Sequence, residues 1–121
     1  MIDLKAYVYE SLTNALGGTP VHYFYPPING ELPCVSWYEA ENRQHSQADT
    51  TEYLTEVAYV IDIWSKSAMR NGEIAQTIDQ AMSAAGFRRA FAYDLYEPET
   101  TIHHKTMRYR ALSDPEGVLY Q

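Results

Sequence analysis

Leu4, Val8, Leu12 and Leu16 recur every fourth residue at the start of the chain, with Ala15 beside them. That spacing gives a helix one apolar face. Asp3 stands where it can cap the helix, and Gly17-Gly18 followed by Thr19-Pro20 stops it. A short strand is expected over residues 21–25, then a loop at Pro26-Pro27-Ile28-Asn29-Gly30, whose Asn-Gly is a tight-turn dipeptide. A second strand covers residues 34–41. Residues 42–50 are polar apart from Ala48 and read as a long hairpin loop, because apolar strands flank them closely.

The third strand, residues 53–65, is the most apolar stretch. Alternation puts Val57, Tyr59, Ile61 and Ile63 on one face and Ala58, Val60, Asp62 and Trp64 on the other. Apolar residues on both faces imply a central strand covered on both sides. A second helix follows, capped by Ser67 or Asn71, with a buried stripe of Ile74, Ile78, Ala81, Met82 and Ala85 and a stop at Gly86. Trp64 is expected in the core with this stripe. Residues 87–96 alternate as a strand, with Phe87, Arg89, Phe91, Tyr93 and Leu95 on one face. After the turn Glu97-Pro98-Glu99-Thr100 comes a last long strand over residues 101–112, then a turn at Asp114-Pro115-Glu116-Gly117 and an apolar tip, Val118-Leu119-Tyr120. The order α-β-β-β-α-β-β is an α+β fold: a mostly antiparallel sheet of about five strands packed against two helices.

The length of 121 residues fits one domain, residues 1–121, with enough buried surface for a core. The formal charge of -7 disfavours adhesion to nucleic-acid phosphates, which needs clustered Lys and Arg. Eleven tyrosines suit half-buried strands and protein–protein contacts alike. The single cysteine, Cys34, cannot form an internal disulfide. No run is long and apolar enough to span a bilayer, and Met1-Ile2-Asp3-Leu4 lacks the regions of a signal peptide. The chain is therefore expected to be made, and first to act, in the cytoplasm.

Candidate chemistry is sparse. His103 and His104 are adjacent, so on a strand they point to opposite faces and cannot chelate one ion together. No metal-ligand spacing and no nucleophile motif accompanies His22, His45 or Cys34. Asp62, set between Ile61 and Ile63, needs a partner if buried, and Arg108 or Arg110 could supply it. Arg88, Arg89, Lys105, Arg108 and Arg110 concentrate basic charge late in the chain, where pairing with the sixteen acidic residues is favoured over a nucleic-acid patch.

The strand Val57-Ala58-Tyr59-Val60-Ile61-Asp62-Ile63-Trp64-Ser65 is followed by the helix Glu73-Ile74-Ala75-Gln76-Thr77-Ile78-Asp79-Gln80-Ala81-Met82. Then come Gly86-Phe87-Arg88-Arg89, Asp94-Leu95-Tyr96-Glu97 and His103-His104-Lys105-Thr106-Met107-Arg108-Tyr109-Arg110. In this order the chain resembles the tail-terminator (tail-completion) proteins of long-tailed siphophages, a likeness of pattern over nearly the whole chain. The resemblance implies a structural protein without catalytic residues or cofactors. Its job would be to form a homohexameric ring capping the head-proximal end of the tail tube, to join the tail to the head connector or stopper protein, and to leave a channel through which DNA passes without specific binding. It also implies residence in the virion tail or neck after assembly in the host cytoplasm, with the tail-tube protein as partner and no membrane involvement. The alternatives are a head-completion or adaptor protein of the phage neck, or an unrelated small ligand-binding or enzymatic α+β domain.

Under the resemblance, Arg43, Gln44, His45, Gln47 and Asp49 in the polar loop are candidates for contact with a neighbouring subunit or the tail tube. Val118, Leu119 and Tyr120 are candidates for a subunit contact, with folding back onto their own sheet as the other choice. Asp94, Glu97 and Glu99 are candidates for an acidic channel lining.

Overall fold

The structure is a computed structural model that describes residues 1–26, 30–45 and 54–120. Helix α1 (Lys5–Leu16) turns Leu4, Val8 and Leu12 into the core, with Leu16 packed against its margin. The N-cap position is Leu4, which has no capping side chain, and Asp3 stands one residue too early to cap; its Oδ1 instead accepts the backbone N–H of Lys5, the first helical residue, at 3.0 Å. Gly17 ends the helix at φ 60 and ψ -116, a positive-φ backbone that glycine adopts without a Cβ penalty.

Helix α2 (Ala68–Ala84) is capped by Ser67, whose Oγ accepts the Arg70 N–H at 3.1 Å. Asn71 does not cap; it is buried inside the first turn. Ser65 Oγ donates to its Oδ1 at 2.6 Å, and its Nδ2 donates to the His103 carbonyl at 3.0 Å. The buried stripe is Ile74, Ala75, Ile78 and Met82, and Ala81 and Ala85 stay half-buried at its edge.

The sheet has six strands: β1 (Val21–Tyr23), β2 (Cys34–Gln44), β3 (Thr55–Ser65), β4 (Arg88–Glu97), β5 (Ile102–Ser113) and β6 (Leu119–Tyr120). Their order is β1-β2-β3-β5-β4, with β6 on β5. Among the described residues only β1–β2 is parallel, and the other pairings are antiparallel. The strand not foreseen is β6. It pairs with Leu112 and Ser113, just beyond the stretch of β5 that pairs with β4, so β4 and β6 lie end to end along one side of β5.

β3 is central, as its composition implies, but both helices cover the same face of it. Val57, Tyr59, Ile61 and Ile63 join Val35 and Trp37 of β2, Met107, Tyr109 and Ala111 of β5, and the inward residues of α1 and α2 in one cluster. The opposite face, called here the open face, receives the alternate residues. Trp64 is on that open face and not in the core between sheet and α2, because it shares the parity of Ala58, Val60 and Asp62.

Two β-bulges reset this alternation. One falls between Glu39 and Glu41 in β2, the other between Arg89 and Phe91 in β4. The second breaks the expected single face of Phe87, Arg89, Phe91, Tyr93 and Leu95. Phe87 is buried in the core and Arg89 reaches Asp79 of α2 at 3.1 Å, whereas Phe91, Tyr93 and Leu95 turn to the open face opposite Arg108, Thr106 and His104.

Candidate functional site

On the open face Asp62 finds its partner in His104, not in Arg108 or Arg110. Oδ1 lies 2.8 Å from His104 Nε2, with both side chains largely buried. The register explains the choice: Asp62 stands opposite Thr106, whereas Arg108 and Arg110 stand opposite Val60 and Ala58, further along the sheet. The His104 ring stacks on Trp64 at 3.8 Å, and Trp64 Nε1 donates to Ser36 Oγ at 2.9 Å. Four polar or aromatic groups from three strands thus satisfy one another on a face that no helix of the described chain covers. Hydrogen bonding of this kind is what permits a carboxylate to be buried.

Further along the same face, charge is neutralised locally. Glu41 lies 3.5 Å from Arg43 and 3.4 Å from Arg108; Glu56 lies 3.1 Å from Arg43 and 3.7 Å from Arg110. With Lys105 on Asp94 and Arg89 on Asp79, each at 3.1 Å, the late basic residues are mostly paired within the chain. Of the nine Lys and Arg, Arg88 alone has no side-chain hydrogen bond or ion pair among the described residues, and it stands directly opposite Arg110. Burial holds the Tyr59 and Tyr109 hydroxyls protonated well above the ordinary tyrosine value, with Glu39 and Asp79 as their acceptors adding to the effect. Burial likewise pushes the Cys34 thiol up, away from the thiolate a nucleophile needs.

The sequence-predicted contact residues fall in three places. Arg43 and Gln44 are not loop residues: β2 runs on through them, opposite Glu56 and Thr55, and the His45 N–H still reaches the Leu54 carbonyl at 2.7 Å. Polar composition hid this strand end, because Arg43 and Gln44 pair with the equally polar Glu56 and Thr55 and no apolar alternation marks the ladder there. Gln47 and Asp49 lie outside the described residues.

Val118, Leu119 and Tyr120 follow a turn ordered by Asp114, whose Oδ1 accepts the N–H groups of Glu116 and Val118 at 3.0 and 2.9 Å. The strand folds back on its own sheet. Leu119 packs at the core's edge against Gly86, and Val118 and Tyr120 remain about half exposed. Asp94 and Glu97 point to opposite faces of β4, and Glu99 lies in the exposed turn beyond it, so these three carboxylates do not share one surface.

The two outer edges of the sheet each carry a cluster of exposed aromatic and apolar residues, a feature the sequence reading did not single out. Every residue of β4 is exposed, and Phe91, Tyr93 and Leu95 form a stripe along it, with the first two rings stacked at 5.3 Å. At the opposite edge Tyr23, Phe24 and Tyr25 are exposed. Phe24 adopts φ 79, its N–H donates to the Trp37 carbonyl at 2.6 Å, and its ring stacks on Tyr38 at 5.1 Å. Alternating aromatics in residues 87–96 were the available signal for the β4 stripe; the bulge obscured which side they take.

Among the described residues no group of three or more His, Cys, Asp and Glu is placed to hold a metal ion, and no helix is long and apolar enough to cross a membrane.

A family profile described as "Tail completion protein gp17" matches residues 9–114. Among solved structures, a chain of the "Virion of native gene transfer agent (GTA) particle" is similar in fold, at 19% identity and a TM-score of 0.55, over 88% of this chain and 91% of that one. No curated protein matches the chain.

Proposed function

The chain belongs to the tail completion protein gp17 family, a family of phage tail structural proteins, and from that premise we propose that it forms the ring that finishes the tail. In this reading copies of the chain close into a ring, with a hexamer as the working stoichiometry. The ring caps the head-proximal end of the tail tube, stops its growth and presents a surface to the head connector. DNA passes through the centre. The work is done by shape and contact, within the virion, after assembly in the host cytoplasm.

The observation that carries this reading is the family match across nearly the whole chain. The exposed surface supports it: two separate aromatic patches, built from different residues, sit at opposite edges of one sheet. A subunit that binds a second copy through two unlike patches makes a head-to-tail contact, the kind that closes rings. Of the candidate contact residues, Arg43 and Gln44 close β2 and His45 follows them at the β2–β3 hairpin end, a position suited to contact with the tail tube; Gln47 and Asp49, outside the described residues, stay candidates by sequence alone. Asp94, Glu97 and Glu99 remain candidates for the channel only in part, since Asp94 and Glu97 face opposite ways.

Electron microscopy of the purified protein mixed with purified tail tubes tests the reading. Density for a ring at one tube end, together with capture by the tail-tube protein and by the connector, is the expected result. Capture by the connector alone, with bare tube ends, would assign the chain to the head-side neck instead.

A further inference from the structure

The registers of the sheet run level from edge to edge. His22, Ser36, Asp62, Thr106 and Tyr93 form one row across β1, β2, β3, β5 and β4; Tyr23, Trp37, Ile61, Met107 and Ala92 form the next. The two outermost strands, β1 and β4, run in opposite directions, because one parallel and three antiparallel steps separate them. A second copy placed beside the first with its sheet continuing in the same sense therefore sets its β1 antiparallel to β4. That polarity gives the perpendicular hydrogen bonds of an antiparallel ladder, and both open faces stay on the same side.

We propose that copies of this chain join edge to edge, β4 of one subunit pairing with β1 of the next, so that one sheet continues from subunit to subunit. The inference rests on the ring reading above and names the contact that builds the ring.

Three observations support a second copy as the occupant. First, β4 is exposed along its whole length, and beyond its Arg89–Phe91 bulge it runs from Phe91 to Glu97 as a regular edge without Lys or Pro, residues that commonly blunt a free edge. Second, the aromatic patches meet on one face. The row of Tyr38, Val60 and Arg108 ends on Phe91, and Phe24 is stacked on Tyr38 at the other end, so Phe24 of one copy arrives beside Phe91 and Tyr93 of its neighbour. Third, the charges are complementary. The row Glu41, Ala58, Arg110, Arg88 begins on a carboxylate and ends on the one cation without a partner among the described residues. β1 pairs with β2 only as far as Trp37, so in the next copy that row starts at Glu41, a half-exposed carboxylate that Arg43 and Arg108 already approach, and sets one of its oxygens on the row of Arg88.

Cysteine cross-linking tests the pairing. His22→Cys and Tyr93→Cys are made singly and together in the full chain; native Cys34 is fully buried and serves as its own control. Under mild oxidation, with and without tail tubes, the double variant should give a ladder of linked oligomers. A mixture of the two single variants should give dimers, and each single variant alone should give none. Tyr23→Cys with Ala92→Cys repeats the test one row along if the first pair does not fold. Oligomers seen by light scattering without these links, or a dimer from Tyr93→Cys alone, would overturn the edge pairing and leave the ring reading standing. Monomers in every condition, tail tubes included, would overturn both. Hydrogen exchange on the unmodified chain gives an independent readout: the outward amides of β4 should gain protection of at least tenfold on assembly, and unchanged exchange there would overturn the pairing.

Discussion

His104 lies flat on Trp64, ring centroids 3.8 Å apart and planes within 11°, while its Nε2 reaches Asp62 at 2.8 Å. One imidazole thus serves two neighbours on β3, covering an aromatic face and satisfying a buried carboxylate.

Replacing it should be costly. His104→Ala removes the stack, worth about 0.5–1.5 kcal/mol, and leaves the Asp62 carboxylate without its partner, a further cost of about 1–3 kcal/mol. Urea unfolding of His104→Ala, Asp62→Ala and the double variant should show coupling, with the double variant losing less than the sum of the two. Additive losses would mean the pair does not interact.

Ile78 is fully buried in the middle of α2, against the helix-covered face of the sheet. Ile78→Ala should cost about 2–5 kcal/mol through lost burial and the cavity left behind. The adjacent exposed Gln80 provides the contrast: Gln80→Ala should stay within about 0.5 kcal/mol. A melting temperature for Ile78→Ala equal to that of the parent would show that this face of α2 does not pack as described.

Gly86 sits at φ 106, and a Cβ there would lie 3.1 Å from the side chain of Leu119. Gly86→Ala should therefore destabilise by about 1–3 kcal/mol, from backbone strain alone, with crowding of β6 added. In a Leu119→Ala background the crowding is relieved and the same substitution should cost less. Equal costs in the two backgrounds would show that β6 does not rest on this turn.

Duplex DNA should bind negligibly at near-physiological salt, whether to subunits or to assembled protein. Eight of the nine cations are already engaged within the chain, and the net charge is -7. Micromolar binding that weakens steeply with added salt, the mark of released counterions, would contradict this and bring Arg88 and Arg110 forward as a phosphate surface.

Much of the fold could be read from spacing alone. The apolar residues of α1 and α2 repeat at helical period, and β3 announces itself by apolar residues on both faces. What could not be read depends on partners distant in sequence. The Arg89–Phe91 bulge shifts the parity of β4 without a local signature, so Phe91, Tyr93 and Leu95 change face relative to Phe87. Asp62 finds His104 and not Arg108 or Arg110, which share the same strand β5, because the β3–β5 register sets it opposite Thr106, and register is not carried by spacing. Arg43 and Gln44 looked like loop because an exposed strand end needs no apolar residue to keep its ladder. The apolar tip Val118-Leu119-Tyr120 is legible as a candidate contact, and Val118 and Tyr120 are half exposed; the larger apolar stripes of the two edge strands are not, because only the strand order identifies those strands as edges.

The skipped neighbour also has a consequence for the chain as it leaves the ribosome. β3 is complete at Ser65, yet the strand that covers its second edge, β5, ends only at Ser113. Throughout the synthesis of α2 and β4 the most apolar strand of the sheet stands with one side bare, a template for any other extended chain. A nascent chain stalled or truncated before β5 emerges is therefore aggregation-prone and a substrate for chaperones, whereas one that loses only β6 has already closed that edge.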